Sequence, residues 1–453
     1  MSLPRPFLYH ARMSNHELVI HLFMQLAVIL MVCRAVGILG RYMGQTQVVS
    51  EMIAGVMLGP SLFGIIAPQV QEWLFPQRLV LEASGGGAVT ITHPSMSILY
   101  AVSQIGLVLY MFLIGLEFNS DLIRGRLRSA GLVSGAGIVV PFTLGAMVAF
   151  SLHRQGEYFS AGISPWSAAL YLGASMSITA FPMLARILYE KGIAGTRLGT
   201  LTLAAGSMDD AIAWCLLALV LATFKGSALI AWLAIGGGLL YVLGMLFLAR
   251  PLLRVFARWT ERDDGVSMKT LLSTLLVLML GAWFTDAIGI YAVFGAFIAG
   301  AAMPRGKFVQ GVRGHTEFLT TTFLLPIFFV YSGLNTRIGL VNTTALWMTT
   351  GLILLLAVAG KGLACMLAAR VSGESWSESA TIGTLMNARG LMELIILNIG
   401  LQEGIIQPTL FTIMVLMAVL TTLMASPLFN ILNRSQPRVV PAAGQSEAIA
   451  GVE

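Results

Sequence analysis

The strongest constraint on this chain is a recurrence. Apolar runs of ~20 residues, the length of helix that crosses a bilayer core, follow one another along almost the whole sequence. We read thirteen, at roughly 17–40, 47–65, 95–117, 129–152, 165–189, 198–223, 227–249, 268–287, 289–304, 315–334, 343–370, 377–401 and 408–432. The second and ninth are short, and the eighth and ninth are the least distinct pair. Charged residues are 11% and hydrophobic residues 57% of the chain, with mean hydropathy +0.83. An ordinary globular domain carries ~25% charge. A water-soluble fold has no way to hide this much apolar surface, whereas lipid accepts it without an inner core. The expected fold class is therefore an all-α membrane protein of about thirteen transmembrane helices over residues 1–433. The polar, Pro- and Ala-rich stretch 434–453 reads as a disordered tail.

The basic residues support the span count. With the C-terminus placed in the cytoplasm, nineteen Lys and Arg fall on that side and six on the other. This is the positive-inside pattern, and it predicts the N-terminus outside and the C-terminus inside. The basic excess is thus a topology signal, and nucleic acid is not an expected partner. Residues Met1 to Arg12 lack the apolar core and cleavage site of a secretory signal, so the first span reads as retained. Cys33, Cys215 and Cys365 lie in apolar stretches, with no CxxC or Cys/His cluster. The 24 Met read as membrane packing. The GGG at 85–87 reads as an extracellular turn, and no nucleotide-binding GxGxxG follows a strand.

A weak repeat runs through the chain. Ile53-Ala54-Gly55 with Pro60 echoes Ile298-Ala299-Gly300 with Pro304, and Gly115-Leu116 echoes Gly333-Leu334. Gly173 and Met176 echo Gly383 and Met386. Spans 2–6 (47–223) and 9–13 (289–432) thus match. Five helices is an odd number and three spans lie between, so the repeats enter the membrane from opposite sides. Such inverted repeats with broken helices are a transporter architecture. Chance recurrence of Gly, Ala and Pro is the rival reading. The fifth span is interrupted at Ser175-Met176-Ser177-Ile178-Thr179-Ala180-Phe181-Pro182 and the twelfth at Met386-Asn387-Ala388-Arg389-Gly390. Irregular backbone at membrane depth survives only inside protein or beside water; simple kinks are the alternative.

Charges in the apolar runs are the sharpest signal. Asp209 and Asp210 sit mid-span in LTLAAGSMDDAIAWCLLALVL, where even one Asp costs ~2.5–3.5 kcal/mol on insertion scales. Lys361 lies deep in LLAVAGKGLACML, where a lysine needs a carboxylate partner or loses its proton. One aspartate pairs with it and the other stays available for an ion; a purely structural salt bridge is the rival. Arg389 and Glu393, spaced i,i+4, can satisfy each other. Glu51 in the second span is a further intramembrane acid.

Together these segments resemble the second branch of the monovalent cation:proton antiporter superfamily, which includes bacterial sodium/proton and potassium/proton antiporters and plant cation/proton exchangers. The resemblance rests on VVSEMIAGVMLGPSLFG (48–64), FLIGLEF (112–118), GASMSITAFPMLARIL (173–188), AAGSMDDAIAW (204–214), FGAFIAGAAMP (294–304), LLPIFFVYSGL (324–334), GKGLACMLAAR (360–370) and NARGLMELIILNIGL (387–401), in order along nearly the whole chain. It implies the sodium/proton antiporter fold, with two inverted five-helix repeats, crossing discontinuous helices and a homodimer. It further implies that Asp210 carries the ion, with Asp209 and Thr179 of the unwound segment as the other ion-binding positions, and that Asp209 pairs with Lys361. Glu51, Ser177, Arg389 and Glu393 are supporting positions. Ser50 stands where the family usually has Gly. The Asp-Asp and Lys positions are similar to the electrogenic sodium/proton type, while the wording of the other motifs is closer to potassium and plant types, so Na+ and K+ both remain open.

The expected function is secondary antiport of Na+ or K+ against protons by alternating access, serving pH homeostasis in a bacterial inner membrane. No enzyme activity and no cofactor are expected; the partners are cations, protons and lipid. A gated potassium efflux pathway without obligatory proton coupling is the alternative.

Overall fold

A computed structural model describes residues 14–433 apart from 44, 46, 83–87, 118–126, 182–183, 185–186, 189–190, 192, 194–195, 225–227, 289–290, 335 and 337. The sequence-predicted tail 434–453, the GGG turn and Pro182 lie outside the described residues. The helices are α1 (Asn15–Tyr42), α2 (Gln47–Leu58), α3 (Pro94–Glu117), α4 (Leu127–Gln155), α5 (Pro165–Ser177), α6 (Arg197–Phe224), α7 (Ala228–Leu243), α8 (Arg250–Arg262), α9 (Met268–Ala287), α10 (Ala292–Ala302), α11 (Lys307–Leu319), α12 (Leu325–Leu334), α13 (Thr344–Ala357), α14 (Ala364–Val371), α15 (Trp376–Met386), α16 (Leu391–Gln402) and α17 (Pro408–Leu432). Two short helices, Phe63–Ile66 and Pro68–Leu74, follow α2.

Each of the thirteen predicted spans contains described helix. Nine helical stretches among the described residues are long and apolar enough to cross a membrane, and the fold is the all-helical membrane architecture expected. α17 runs through the middle, with 67% of its apolar window buried, while the stretch Gly236–Arg262 is peripheral at 11%.

Three differences from the sequence reading have physical causes. First, an antiparallel hairpin, β1 (Arg78–Glu82) with β2 (Ala88–Thr92), joins α2 to α3, Arg78 facing Thr92 and Glu82 facing Ala88. Its β-branched residues Val80, Val89, Thr90 and Ile91 favour strand, but the stretch is too short to outweigh the helical pattern around it. Second, the seventh span does not stop near 249. It continues through a π-helical turn (Gly244–Ala249) into α8, with Pro251 in that helix's first turn, where a missing N–H costs least. Third, the tenth span begins at Lys307, eight residues early, and passes through a π-helical turn (Thr320–Leu324) into α12. Both extensions are amphipathic, and charge alone does not end a helix whose apolar face is covered: Phe256 of α8 stacks on Phe308 of α11 at 6.1 Å.

Helices in lipid gain little from apolar burial against each other, so close packing of small residues holds them together. A Cβ on Gly55 would come 2.5 Å from the Phe329 carbonyl, and one on Gly333 would come 2.2 Å from Gly55. One on Gly115 would lie 2.2 Å from the Phe297 carbonyl, and one on Gly300 2.2 Å from the Phe112 carbonyl. Thus α2 touches α12 backbone to backbone, and α3 touches α10 in the same way. These are four of the six glycines of the sequence echo, each paired with the other half of the chain.

The fifth and twelfth spans are broken. α5 ends at Ser177, Ile178 turns extended (φ −67°, ψ 136°), and helix resumes when the Leu184 N–H bonds the Ala180 carbonyl at 2.9 Å. α15 ends at Met386 and α16 starts at Leu391. The two breaks cross: the Ala180 N–H donates to the Ala388 carbonyl at 3.3 Å.

Candidate functional site

A helix that stops in mid-membrane leaves its last carbonyls without partners and a partial negative charge at its end. Two buried cations take the carbonyls of α5. Lys361 donates to the Ser177 carbonyl, and Arg389 donates to the carbonyls of Ser175 (3.2 Å) and Met176 (2.6 Å). Each cation also holds a carboxylate, and the two clusters are built differently.

Lys361 stands in a π-helical turn, Val358–Leu363, between α13 and α14. Such turns are rare and widen the helix locally. Its ammonium has three donors and three acceptors: the Gly137 carbonyl on α4 at 2.9 Å, the Ser177 carbonyl, and Asp209 Oδ2 on α6 at 3.1 Å. Lys361 and Asp209 are both fully buried. The Thr179 hydroxyl, in the break, donates to the same Asp209 oxygen at 2.5 Å. Four spans therefore converge on Asp209 Oδ2 and Lys361 Nζ.

Asp210 is the next residue on α6 and equally buried. A helix turns ~100° per residue, so its carboxylate is directed elsewhere. Among the described residues neither of its oxygens makes a hydrogen bond of ordinary geometry; the group facing it is the backbone N–H of Phe181, where α5's continuation restarts. Orphan N–H groups at a helix start favour an anion. Asp209 Oδ1 and Asn387 Oδ1, the latter in the break after α15, are also buried without a hydrogen-bond partner among the described residues. Oxygen donors of this kind suit hard cations.

The second cluster is local to one stretch of chain, with Arg389 Nε and Glu393 Oε1 buried and without a hydrogen-bond partner among the described residues. Arg389 donates to Glu393 Oε2 at 3.0 Å within one turn, and both side chains are buried. Glu393 lies in the first turn of α16, where a negative charge complements the helix dipole. The Thr422 hydroxyl of α17 accepts from the Arg389 N–H at 3.1 Å and also contacts the Arg389 carbonyl, fixing the break from behind.

Of the residues singled out by sequence, the fold brings Asp209, Asp210, Thr179, Lys361 and Ser177 together. Ser177 serves through its carbonyl, because its hydroxyl turns back to Ala174 at 2.8 Å. Arg389 and Glu393 sit beside this group, joined through α5. Glu51 is buried on α2, where Gln47 of the same helix donates to it at 2.9 Å. The sequence reading missed Gly137, Asn387 as a side chain, and Thr422. A polar residue facing the centre of the apolar α17 was the one available signal for Thr422; a backbone carbonyl such as that of Gly137 leaves no sequence signal.

Comparison with known proteins places this geometry. A family profile described as sodium/hydrogen exchanger, transmembrane, matches residues 27–432. The chain is 40% identical over 404 residues to a Na+/H+ antiporter of Synechocystis, covering 88% of this chain and 94% of that one. It is 32% identical over 433 residues to a K+/H+ antiporter of Saccharomyces cerevisiae, covering 93% of this chain and 47% of the relative, so it spans about half of that protein's length. The fold matches the sodium proton antiporter MjNhaP1 of Methanocaldococcus jannaschii with TM-score 0.60 at 13% identity, over 92% of this chain and 97% of that one.

Proposed function

The chain belongs to the sodium/hydrogen exchanger family, and we propose that it exchanges a monovalent cation, Na+ or K+, for protons across a membrane, with Asp210 as the carboxylate that both ligands share. The observation that carries this reading is the contrast within one dipeptide. Asp209 is held by Lys361 and Thr179, while among the described residues the equally buried Asp210 makes no hydrogen bond of ordinary geometry and faces only the Phe181 N–H. A buried carboxylate without a partner is tolerated only if it takes up a proton or a cation. It cannot hold both, and that competition couples the two fluxes. Asp209 Oδ1, Asn387 Oδ1 and the Thr179 hydroxyl are the oxygens to complete a cation shell as its water is shed.

The same reading gives the breaks their purpose. Lys361 and Arg389 offset the negative end of α5, and the Phe181 N–H offers a positive end to Asp210. We further infer two inverted repeats, 47–223 and 289–432, which the exchanged glycine contacts support. Alternating access by a homodimer, with the N-terminus outside and the C-terminus inside a bacterial inner membrane, completes the proposal.

The test is proton flux in proteoliposomes carrying a pH-sensitive dye. A pH gradient is imposed, and sodium, lithium, potassium or rubidium is added in turn. Dissipation by one or more of them is expected and names the ion. A flux that ignores the pH gradient would replace the proposal with a gated cation pathway.

A further inference from the structure

The peripheral helix α7–α8 carries one exposed ridge that changes character abruptly. Leu240, Leu243 and Phe247 are 68%, 43% and 71% exposed. Continuing at the same three- and four-residue steps come Arg250, Arg254, Arg258 and Arg262, all exposed. Side chains at such steps share a helix face. Exposed Leu248 and Leu252 flank Arg250. The opposite face is pinned: Leu253, Phe256 and Thr260 are buried, and Phe256 stacks on Phe308. Among the described residues none of the four arginines has an ion pair. Glu261 lies on the same side and offsets the far end, so Arg250, Arg254 and Arg258 carry the positive field. Trp259, beneath the ammonium of Lys269 at 4.0 Å, is the kind of aromatic found at a membrane surface.

We propose that this ridge is a docking surface for anionic phospholipid headgroups, on the leaflet that is cytoplasmic in the orientation given above. The apolar part of the ridge faces acyl chains, so its switch to arginine falls where the phosphates begin. A guanidinium fork matches a phosphate in two-pronged geometry, and basic groups next to a span are drawn to anionic lipid. The partner is chosen by charge complementarity and by continuity with the lipid-facing face of the same helix.

The inference does not rest on ion exchange, and its test measures lipid directly. The full chain is reconstituted in phosphatidylcholine vesicles containing spin-labelled phosphatidylglycerol or spin-labelled phosphatidylcholine, and the motionally restricted fraction is compared. The Arg254→Gln/Arg258→Gln variant is expected to lose at least about threefold of the preference for phosphatidylglycerol. Arg254→Lys/Arg258→Lys keeps the charge and is expected to keep most of the preference. The matched variant Arg34→Gln/Arg41→Gln, which removes two exposed arginines of α1, is expected to keep it as well. An unchanged preference in Arg254→Gln/Arg258→Gln overturns the proposal, and so does an equal loss in the α1 variant, since any surface charge would then serve.

Discussion

The two buried ion pairs beside the broken fifth span use the same parts to different ends. Each joins a cation, a carboxylate and carbonyls of α5. Arg389 and Glu393 are neighbours on one stretch of chain, four residues apart, and Thr422 holds the backbone of Arg389. Lys361 and Asp209 come from spans far apart in sequence, and the partner of Asp209 in the dipeptide, Asp210, is left over. A local pair four residues apart keeps its contact whatever the other spans do. A pair assembled from four spans can stay intact only while those spans hold their arrangement, which makes it the element able to respond to movement. In the reading given above, the first is a structural lock and the second a working site.

Several experiments break or sharpen that contrast. The largest effect is expected from Asp210→Asn, which keeps shape and removes the exchangeable charge; cation-driven proton flux should fall at least ~100-fold, with insertion and size-exclusion behaviour unchanged. Substantial flux in that variant would remove the distinction between the two clusters. Next, Arg389→Met strands Glu393 in the interior, and breaking a buried pair in this way costs ~3–5 kcal/mol. A marked loss of thermal stability is expected, largely recovered in Arg389→Met/Glu393→Leu. Recovery of full transport in the double variant would confine that cluster to a structural role, whereas recovery of neither property would show that the cation at the α5 carbonyls is what matters.

The Lys361 ammonium has all three donors engaged, so Lys361→Gln, which strands Asp209 and the Ser177 carbonyl, is expected to cost ~3–5 kcal/mol in thermal unfolding. Unchanged stability in that variant would show that the pair does not hold the four spans together. Thr422→Val removes one hydroxyl clamp from the second break, with an expected cost of ~1–2 kcal/mol in thermal unfolding and a slower turnover. The smallest effect belongs to Ser177→Ala. Its hydroxyl only bonds back to Ala174, so transport should stay within about twofold and stability within ~0.5 kcal/mol; a large loss would mean that the hydroxyl faces the ion at another stage of the cycle.

Much of this was legible before any coordinates. Apolar runs of bilayer length located the helices, because lipid penalises every unpaired backbone group and leaves helix as the simplest answer. The intramembrane charges Asp209, Asp210, Lys361, Arg389 and Glu393 stood out for the same reason: a charge in that solvent is too costly to be incidental. The breaks at 178–180 and 387–390 were visible as Ser-, Thr- and Gly-rich interruptions. The overshoot of α8 and α11 past the apolar runs was not, since their length is set by packing of Phe256 on Phe308, a contact between segments remote in sequence.

The sequence by itself determined that the chain spans a membrane many times, where it is interrupted, and which ionisable residues must find partners there. The residues by themselves left open which aspartate Lys361 takes, and the resemblance implied Asp209; tertiary structure alone decided that Thr179 joins the same oxygen, that Ser177 offers its carbonyl and not its hydroxyl, and that Thr422 braces the second break. The reason is geometric. Two adjacent aspartates are chemically identical in a string of letters, and only the ~100° between them on a helix, set against the spans that surround it, gives one the ammonium of Lys361 and the hydroxyl of Thr179 and turns the other away from both.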